Sequence, residues 1–318
     1  MDALTPCNGG DDLPAVNVAL GGGGAKGFAH AGVLQAIAEH FTIESIVGTS
    51  MGAIVGALYA HLYAQRYVTR SESTVRERQR KAALAVEQVL KAQNFLLFLD
   101  PSLSPLTAGI VHGRRIARWL RNQLCTSTGQ DMLFADLPFD LTITATANAT
   151  GEMLPLNRSS APALSIADAV RASMSIPFLF APVTIDYGGQ RITCWDGGIT
   201  GNCRFDLAHR AHPSRLTIAS SLTYRGEHTT PSTGVFRPFL RYFRDMNHSA
   251  DILLRQLEIV TAEALGPQVM RNILLVRPPL GSTRSLTFNL SRARIAELIR
   301  RARVETQDAI KPHVSYVL

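Results

Sequence analysis

Two apolar runs, each ending in a glycine-rich turn and passing into a helix-forming stretch, constrain this chain more than any other feature. The first is Ala15 to Leu20, followed by "GGGGAKGFAHAGVLQA", and the second is Ile43 to Val47, followed by "GTSMGAIVGALYA". Further strand-like runs lie at Leu141 to Ala147, Glu152 to Leu156, Arg191 to Trp195, Leu216 to Ser220 and Ile273 to Val276, with helix-forming sequence between them. Such alternation suits a sheet with helices on its faces. The expected fold class is α/β, a three-layer α/β/α sandwich with a mostly parallel central sheet. The 318 residues, 46% of them hydrophobic, suffice for a sizeable core, and one domain spanning residues 1–318 is expected.

The stretch "STVRERQRKAALAVEQVLKAQNF" has no helix breaker and predicts a long helix, with a second over Gly113 to Leu124. Together they form a basic helical insertion at about 66–125, expected to lie over the sheet. Between Arg66 and Arg121 stand eleven Lys and Arg against four Asp and Glu, an excess equal to the +7 of the whole chain. A segment of this kind faces either solvent or an anionic lipid surface. Nucleic acid is not expected, because the basic residues are not interleaved with stacking aromatics and no nucleic-acid-binding motif accompanies them. The less diagnostic C-terminal part, about 221–318, opens with a polar stretch, Thr223 to Thr233, that predicts an exposed loop, and a long helix follows from about Phe236 to Leu265.

Cys7, Cys125, Cys194 and Cys203 are scattered, so free thiols, no disulfide and no metal site are expected. No apolar run reaches the length of a membrane span, and "MDALTPCNGGDDLP" lacks the basic and apolar regions of a secretory signal. The expectation is a cytoplasmic chain, at most peripheral to the membrane.

The two turns carry chemistry. Gly48, Ser50 and Gly52 form G-x-S-x-G between a strand and a helix, the setting of a nucleophile elbow, in which Oγ stands exposed and the next amide, from Met51, points to the same place. Ala53, Gly56, Ala57 and Ala60 give the following helix a face of small residues for close packing. Gly22, Gly24 and Gly27 spell G-x-G-x-x-G, which in a dinucleotide-binding unit would be followed by an acidic residue at the tip of the second strand. That tip is the serine motif instead, and Glu44 sits at the front of its strand. The amides of Gly22, Gly23 and Gly24 are then available to stabilise the oxyanion formed when Ser50 attacks an ester.

These motifs resemble those of the patatin-like phospholipases. "GGGGAKG" contains their G-G-G-x-[RK]-G motif as Gly22 to Gly27, "GTSMGA" looks like their elbow, and "WDGG" carries their D-G-G as Asp196, Gly197 and Gly198. "RASMSIPFLFAPV", from Arg171, is similar to the stretch that precedes their aspartate. The resemblance covers about Val16 to Asp206 and implies a lipid acyl hydrolase with a Ser-Asp dyad. Ser50 is then the nucleophile, Asp196 the base, the Gly22 to Gly24 amides the oxyanion hole, and Lys26 the residue that holds that loop. No cofactor is implied. After D-G-G the chain departs from the family: Asn202 is kept, but Cys203 and Arg204 follow it.

The dyad also stands on chemistry, since a partly buried carboxylate with a raised pKa can take a serine proton. Taken alone, Asp196 equally fits a turn aspartate. A Ser-His-Asp carboxylesterase is the enzymatic alternative, with His209 or His212 as its histidine, although both are expected to be solvated. His30, close to the glycine loop on the first helix, reads as a packed or capping histidine. A non-catalytic nucleotide- or lipid-binding protein is the other alternative. Asn94 to Val111, apolar and interrupted by prolines, fits a lid or acyl-chain wall, or else core.

Overall fold

The computed structural model describes residues 13–69, 74–101, 109–223, 238–285, 287 and 289–314. The predicted Thr223–Thr233 loop falls outside these residues except for Thr223, as do Cys7 and the chain start. An eight-stranded sheet forms the middle layer. Its first five strands in spatial order are parallel and come from β10 (Ile273–Val276), β9 (Leu216–Ser220), β1 (Ala15–Leu20), β2 (Thr42–Thr49) and β4 (Asp140–Ala147). The remaining strands are antiparallel: β8 (Gln190–Asp196) pairs with the end of β4, β7 (Val183–Tyr187) pairs with β8, and β5 (Met153–Leu156) pairs with β4. A separate pair of three-residue strands, β3 (Gly109–Val111) and β6 (Phe178–Phe180), lies outside this sheet.

The central strands are apolar on both faces, as a sheet covered by helices on both sides demands. Val16, Val18, Leu20 and Ile46 face the larger layer, which holds α1 (Ala29–His40), α2 (Met51–Thr69), α3 (Val75–Ala92), α5 (Ile166–Ser173) and α8 (Arg292–Val314). Ala19, Val47 and Ala219 face the smaller layer, built from α6 (Phe205–Ala211) and the end of α7 (Pro238–Met270), which kinks at Gly266. The small-residue face of α2 is buried: Ala53, Ala57 and Ala60 are fully enclosed.

The basic insertion is not one unit. Its first helix, α3, packs on α1, α2 and α8, whereas its second, α4 (Arg114–Gln123), packs on α5. Thr74 caps α3 by accepting the Glu77 amide, and Asp100 caps α4 from outside by accepting the amides of Gly113 and Arg114 at 2.7 and 2.8 Å. Of the basic side chains of α3, Lys81 pairs with Glu77, Lys91 pairs with Glu87, and Arg76 donates to the Glu39 carbonyl of α1.

The sheet also fixes a meeting point. Leu154 and Pro155 of β5 occupy one edge of β4, so β2 and β8 share the other edge and arrive end to end. Thr49 pairs with Thr144, and Asp196 pairs with the next residue, Ala145. The last residue of β8 is therefore delivered beside the turn that leaves β2.

Candidate active site

Ser50 occupies that turn with φ of 53°, in the left-handed region that side chains avoid. Holding a serine there costs on the order of 1–3 kcal/mol, so surrounding bonds must over-determine it. Its amide donates to Ser173 Oγ on α5 at 2.9 Å, and its carbonyl accepts the amides of Ala53 and Ile54 in the first turn of α2. The helix can start this close to β1 because position 52 has no side chain: a Cβ on Gly52 would lie 2.1 Å from the Leu20 carbonyl oxygen.

The glycine loop runs alongside. A Cβ on Gly22 would stand 3.2 Å from Ser50 Cβ, so the two segments touch. Gly22 is clamped by Asn202, whose carbonyl accepts the Gly22 amide at 3.0 Å while its Nδ2 donates to the Gly22 carbonyl at 3.1 Å. This corrects the expectation that all three amides of Gly22 to Gly24 are free to receive an oxyanion. The Gly22 N–H is taken; those of Gly23 and Gly24 have no acceptor among the described residues. Met51 opens α2, where first-turn amides lack intrahelical acceptors. Gly24 has φ of 52°, and the Ser285 carbonyl crowds its Cβ position while accepting the Ala25 amide at 2.8 Å.

Two buried side chains hold this loop. Lys26 donates to Asp251 of α7 at 2.8 Å. His30, fully buried on α1, donates from Nε2 to the Gly21 carbonyl at 2.7 Å, which leaves Nδ1 to accept from Ser220 Oγ at 3.0 Å. Burial pushes the His30 pKa down to about 4, so the ring is neutral.

Asp196 is the buried carboxylate of the site. Its Oδ1 accepts the Gly198 amide at 2.7 Å, while Oδ2 is buried without a hydrogen bond among the described residues. Burial raises its pKa to about 6, against smaller opposing effects of the Ser50 hydroxyl and the Gly198 amide. Ser50 is thus close enough to act on the carboxylate, although the two close no hydrogen bond of ordinary geometry, a looseness common in unliganded sites. Gly197 packs against the Thr144 carbonyl, and Gly48 against Ala53 at the foot of the elbow, as Gly27 does against Met51.

The other candidates are elsewhere. His209, expected to be solvated, is buried on α6, in the smaller layer on the far face of the sheet from α2. His212 lies 3.9 Å from Asp140, at the strand ends opposite Ser50. Glu44 pairs with Arg215 at the same remote end.

Next to Ser50 opens a narrow apolar pocket with room of about 40 Å³, lined among others by Phe28, Met51, Ile54, Phe95, Phe98 and Phe180. Asn94 to Val111 contributes its wall through a single turn at Phe95–Phe98, where Phe95 and Phe98 stack edge-on 5.2 Å apart and Trp119 packs behind them. Residues 102–108 of that stretch lie outside the described ones. Sequence reasoning did not find Ser173, Asp251 or Ser285. Asp251 and Ser285 reach the site by tertiary packing from distant elements and carry no motif of their own, while Ser173 lies in the stretch from Arg171 that resembles the family, where nothing in the sequence singles it out.

A family model of patatin-like phospholipases matches residues 18–209. Uncharacterized NTE family proteins of Mycobacterium tuberculosis and Mycobacterium bovis are 32% identical over 191 residues, 60% of this chain and 44% of theirs, so the chain matches less than half the length of these curated relatives. Among solved structures, VipD from Legionella pneumophila aligns with a TM-score of 0.44 at 14% identity, covering 95% of this chain and 67% of that one. ExoU of the type III secretion system of Pseudomonas aeruginosa, in complex with SpcU, aligns with a TM-score of 0.41 at 17% identity, covering 95% and 52%. A family match that runs from the first strand past the aspartate, over more than half of the sequence, is membership: the chain belongs to the patatin-like phospholipase family.

Proposed function

We propose that the protein is a serine lipid acyl hydrolase that cleaves carboxylic ester bonds of phospholipids or lysophospholipids with Ser50 and Asp196 as its dyad. The observation that carries the reading is the buried Oδ2 of Asp196, left without a hydrogen-bond partner beside a serine held at a strained turn. Buried polar atoms are nearly always paired, and exceptions gather where chemistry supplies the partner. Asp196 takes the Ser50 proton as Oγ attacks the acyl carbonyl, and the tetrahedral oxyanion forms against the amides of Gly23, Gly24 and Met51. Collapse expels the lysolipid or glycerol oxygen, which takes the proton back from Asp196 and leaves the acyl chain on Ser50. Water, deprotonated by the same carboxylate, then releases the fatty acid. With a pKa raised to about 6, the carboxylate is mostly ionised at neutral pH yet more basic than an ordinary aspartate.

A Ser-His-Asp mechanism has less support, because both His30 nitrogens are engaged and His209 and His212 lie away from Ser50. The test is a fluorophosphonate probe together with phospholipid vesicles. Labelling at Ser50 and release of fatty acid, both lost in Ser50→Ala, are expected. Ester hydrolysis that survives Ser50→Ala would overturn the assignment.

A further inference from the structure

Among the described residues only two besides glycine have positive φ, and the second is Phe178, at 66°. It follows Pro177 in a turn closed by the Leu179 amide on the Ile176 carbonyl at 3.1 Å. Proline second and a positive φ third are the marks of a type II turn, whose third position favours glycine or asparagine. Here that position holds a phenylalanine with 69% of its surface exposed. Neither the strain nor the exposed ring helps the fold, so both call for another explanation.

Phe178 is not alone. Strand β6 pairs with β3, where Ile110 is 50% exposed between buried neighbours. The turn beside it exposes Leu96 and Leu97 at 45% and 60%. The turn and β6 each line the pocket with some side chains and expose others: Phe95 and Phe98 in, Leu96 and Leu97 out; Phe180 in, Phe178 out. Next in space is α4, which contributes Ile116 to the pocket and exposes Arg114, Arg115 and Arg118. None of the three has an acidic partner among the described residues; Arg115 donates to the Leu97 carbonyl, joining the basic helix to the apolar turn. The rim is fixed in place by Arg171, a buried guanidinium that donates to the carbonyls of His112 and Ala181, the residues that follow β3 and β6.

We infer that Leu96, Leu97, Ile110 and Phe178, flanked by Arg114, Arg115 and Arg118, form the surface by which this protein docks on an anionic phospholipid bilayer, with the pocket mouth facing the lipid. This rests on the lipid-ester reading only for its purpose; docking itself is read without catalysis. Apolar side chains that surround a pocket enter the acyl region, and the adjacent arginines meet phosphate headgroups, each cation adding about fivefold in affinity at low salt. In α3, Lys81 and Lys91 pair with acids of their own helix, whereas the exposed arginines of α4 adjoin the pocket, which makes α4 the lipid-facing part of the basic segment.

The experiment is co-sedimentation with vesicles of phosphatidylcholine, with and without phosphatidylglycerol, at low and physiological salt, using Phe178→Gly, Leu97→Ser and Arg114→Gln/Arg118→Gln. Glycine suits the turn, so Phe178→Gly is expected to melt no lower than wild type and to hydrolyse a water-soluble short-chain ester unchanged. Its vesicle binding is expected to fall on the order of tenfold, the scale of losing one buried aromatic side chain. The arginine variant is expected to lose its preference for phosphatidylglycerol and its salt dependence. Undiminished vesicle binding in Phe178→Gly and Leu97→Ser overturns the docking surface. So does wild type that ignores vesicles but forms dimers that Phe178→Gly dissociates, which would make the face an interface between copies. A protein that docks through these residues yet hydrolyses no ester would remove the catalytic reading and leave this one standing.

Discussion

A carboxyl held at a pKa of about 6 opposes folding whenever it is charged. Relative to a model value of 3.8, the folded state holds the Asp196 proton more tightly than the unfolded chain, so stability falls as pH rises from 3.8 to about 6 and stays reduced above it. Asparagine mimics the protonated form. Asp196→Asn is therefore expected to match wild type in stability below pH 3.8 and to exceed it above about 6, by up to ~3 kcal/mol. The same change is expected to lower turnover by on the order of 10² to 10⁴, as for removal of a positioned base, and to abolish the rise of kcat/KM across pH 6. His30 runs in the opposite sense: with its pKa lowered from 6.5 to about 4, its contribution is present above 6.5 and lost as pH falls toward 4. Comparing denaturation midpoints of Asp196→Asn and wild type cancels the histidine, and a difference that did not grow between pH 4 and 6 would contradict the carboxylate assignment.

The elements that were legible in the sequence are those with local periodicity and turn chemistry. The bounds of β1, β9 and β10 coincide with the expected runs, and β2, β4, β5 and β8 differ by one or two residues at their ends. The elbow and glycine loop were readable because each needs particular residues at fixed spacing. Strands β3 and β6 were not, since three residues carry no period. The β7–β8 hairpin had a readable signal that was passed over: Gly188 and Gly189, with φ of 60° and 78°, supply the two left-handed residues of a tight hairpin turn. In α8, the buried residues Ile295, Leu298, Ile299, Ala302, Thr306 and Ile310 keep helical spacing and were equally available. The links between elements were not legible. Lys26 and Asp251 are 225 residues apart, and nothing near either names the other. Because Lys26 is almost fully buried, Asp251→Asn leaves its ammonium uncompensated; a loss of about 2–4 kcal/mol is expected in urea denaturation, with a fall in kcat as the glycine loop loosens. A variant as stable and active as wild type would show that the tie between α7 and the loop is incidental.

Across the molecule, charge and apolar surface are sorted by position. Lys81 and Lys91 of α3 are paired within their helix, Arg114, Arg115 and Arg118 of α4 are displayed beside the pocket, and no helix among the described residues is long and apolar enough to cross a membrane. The pocket, with room for only a few water-sized groups, must widen before an acyl chain can enter, and the single turn at Phe95–Phe98 forms part of its wall. The order of strands has one more consequence. β1 lies between β2 and β9, and β9 and β10 are drawn from beyond the stretch that the family model matches. A fragment cut to residues 13–209 would keep the serine, the aspartate and the glycines but turn β1 into a bare edge, with Val16 to Leu20 offering unpaired amides and carbonyls. Expressed alone, that fragment is expected to be insoluble or to self-associate while the 318-residue chain is not, as size-exclusion chromatography of the two would report. The boundaries by which this protein is recognised are therefore not boundaries at which it can be cut.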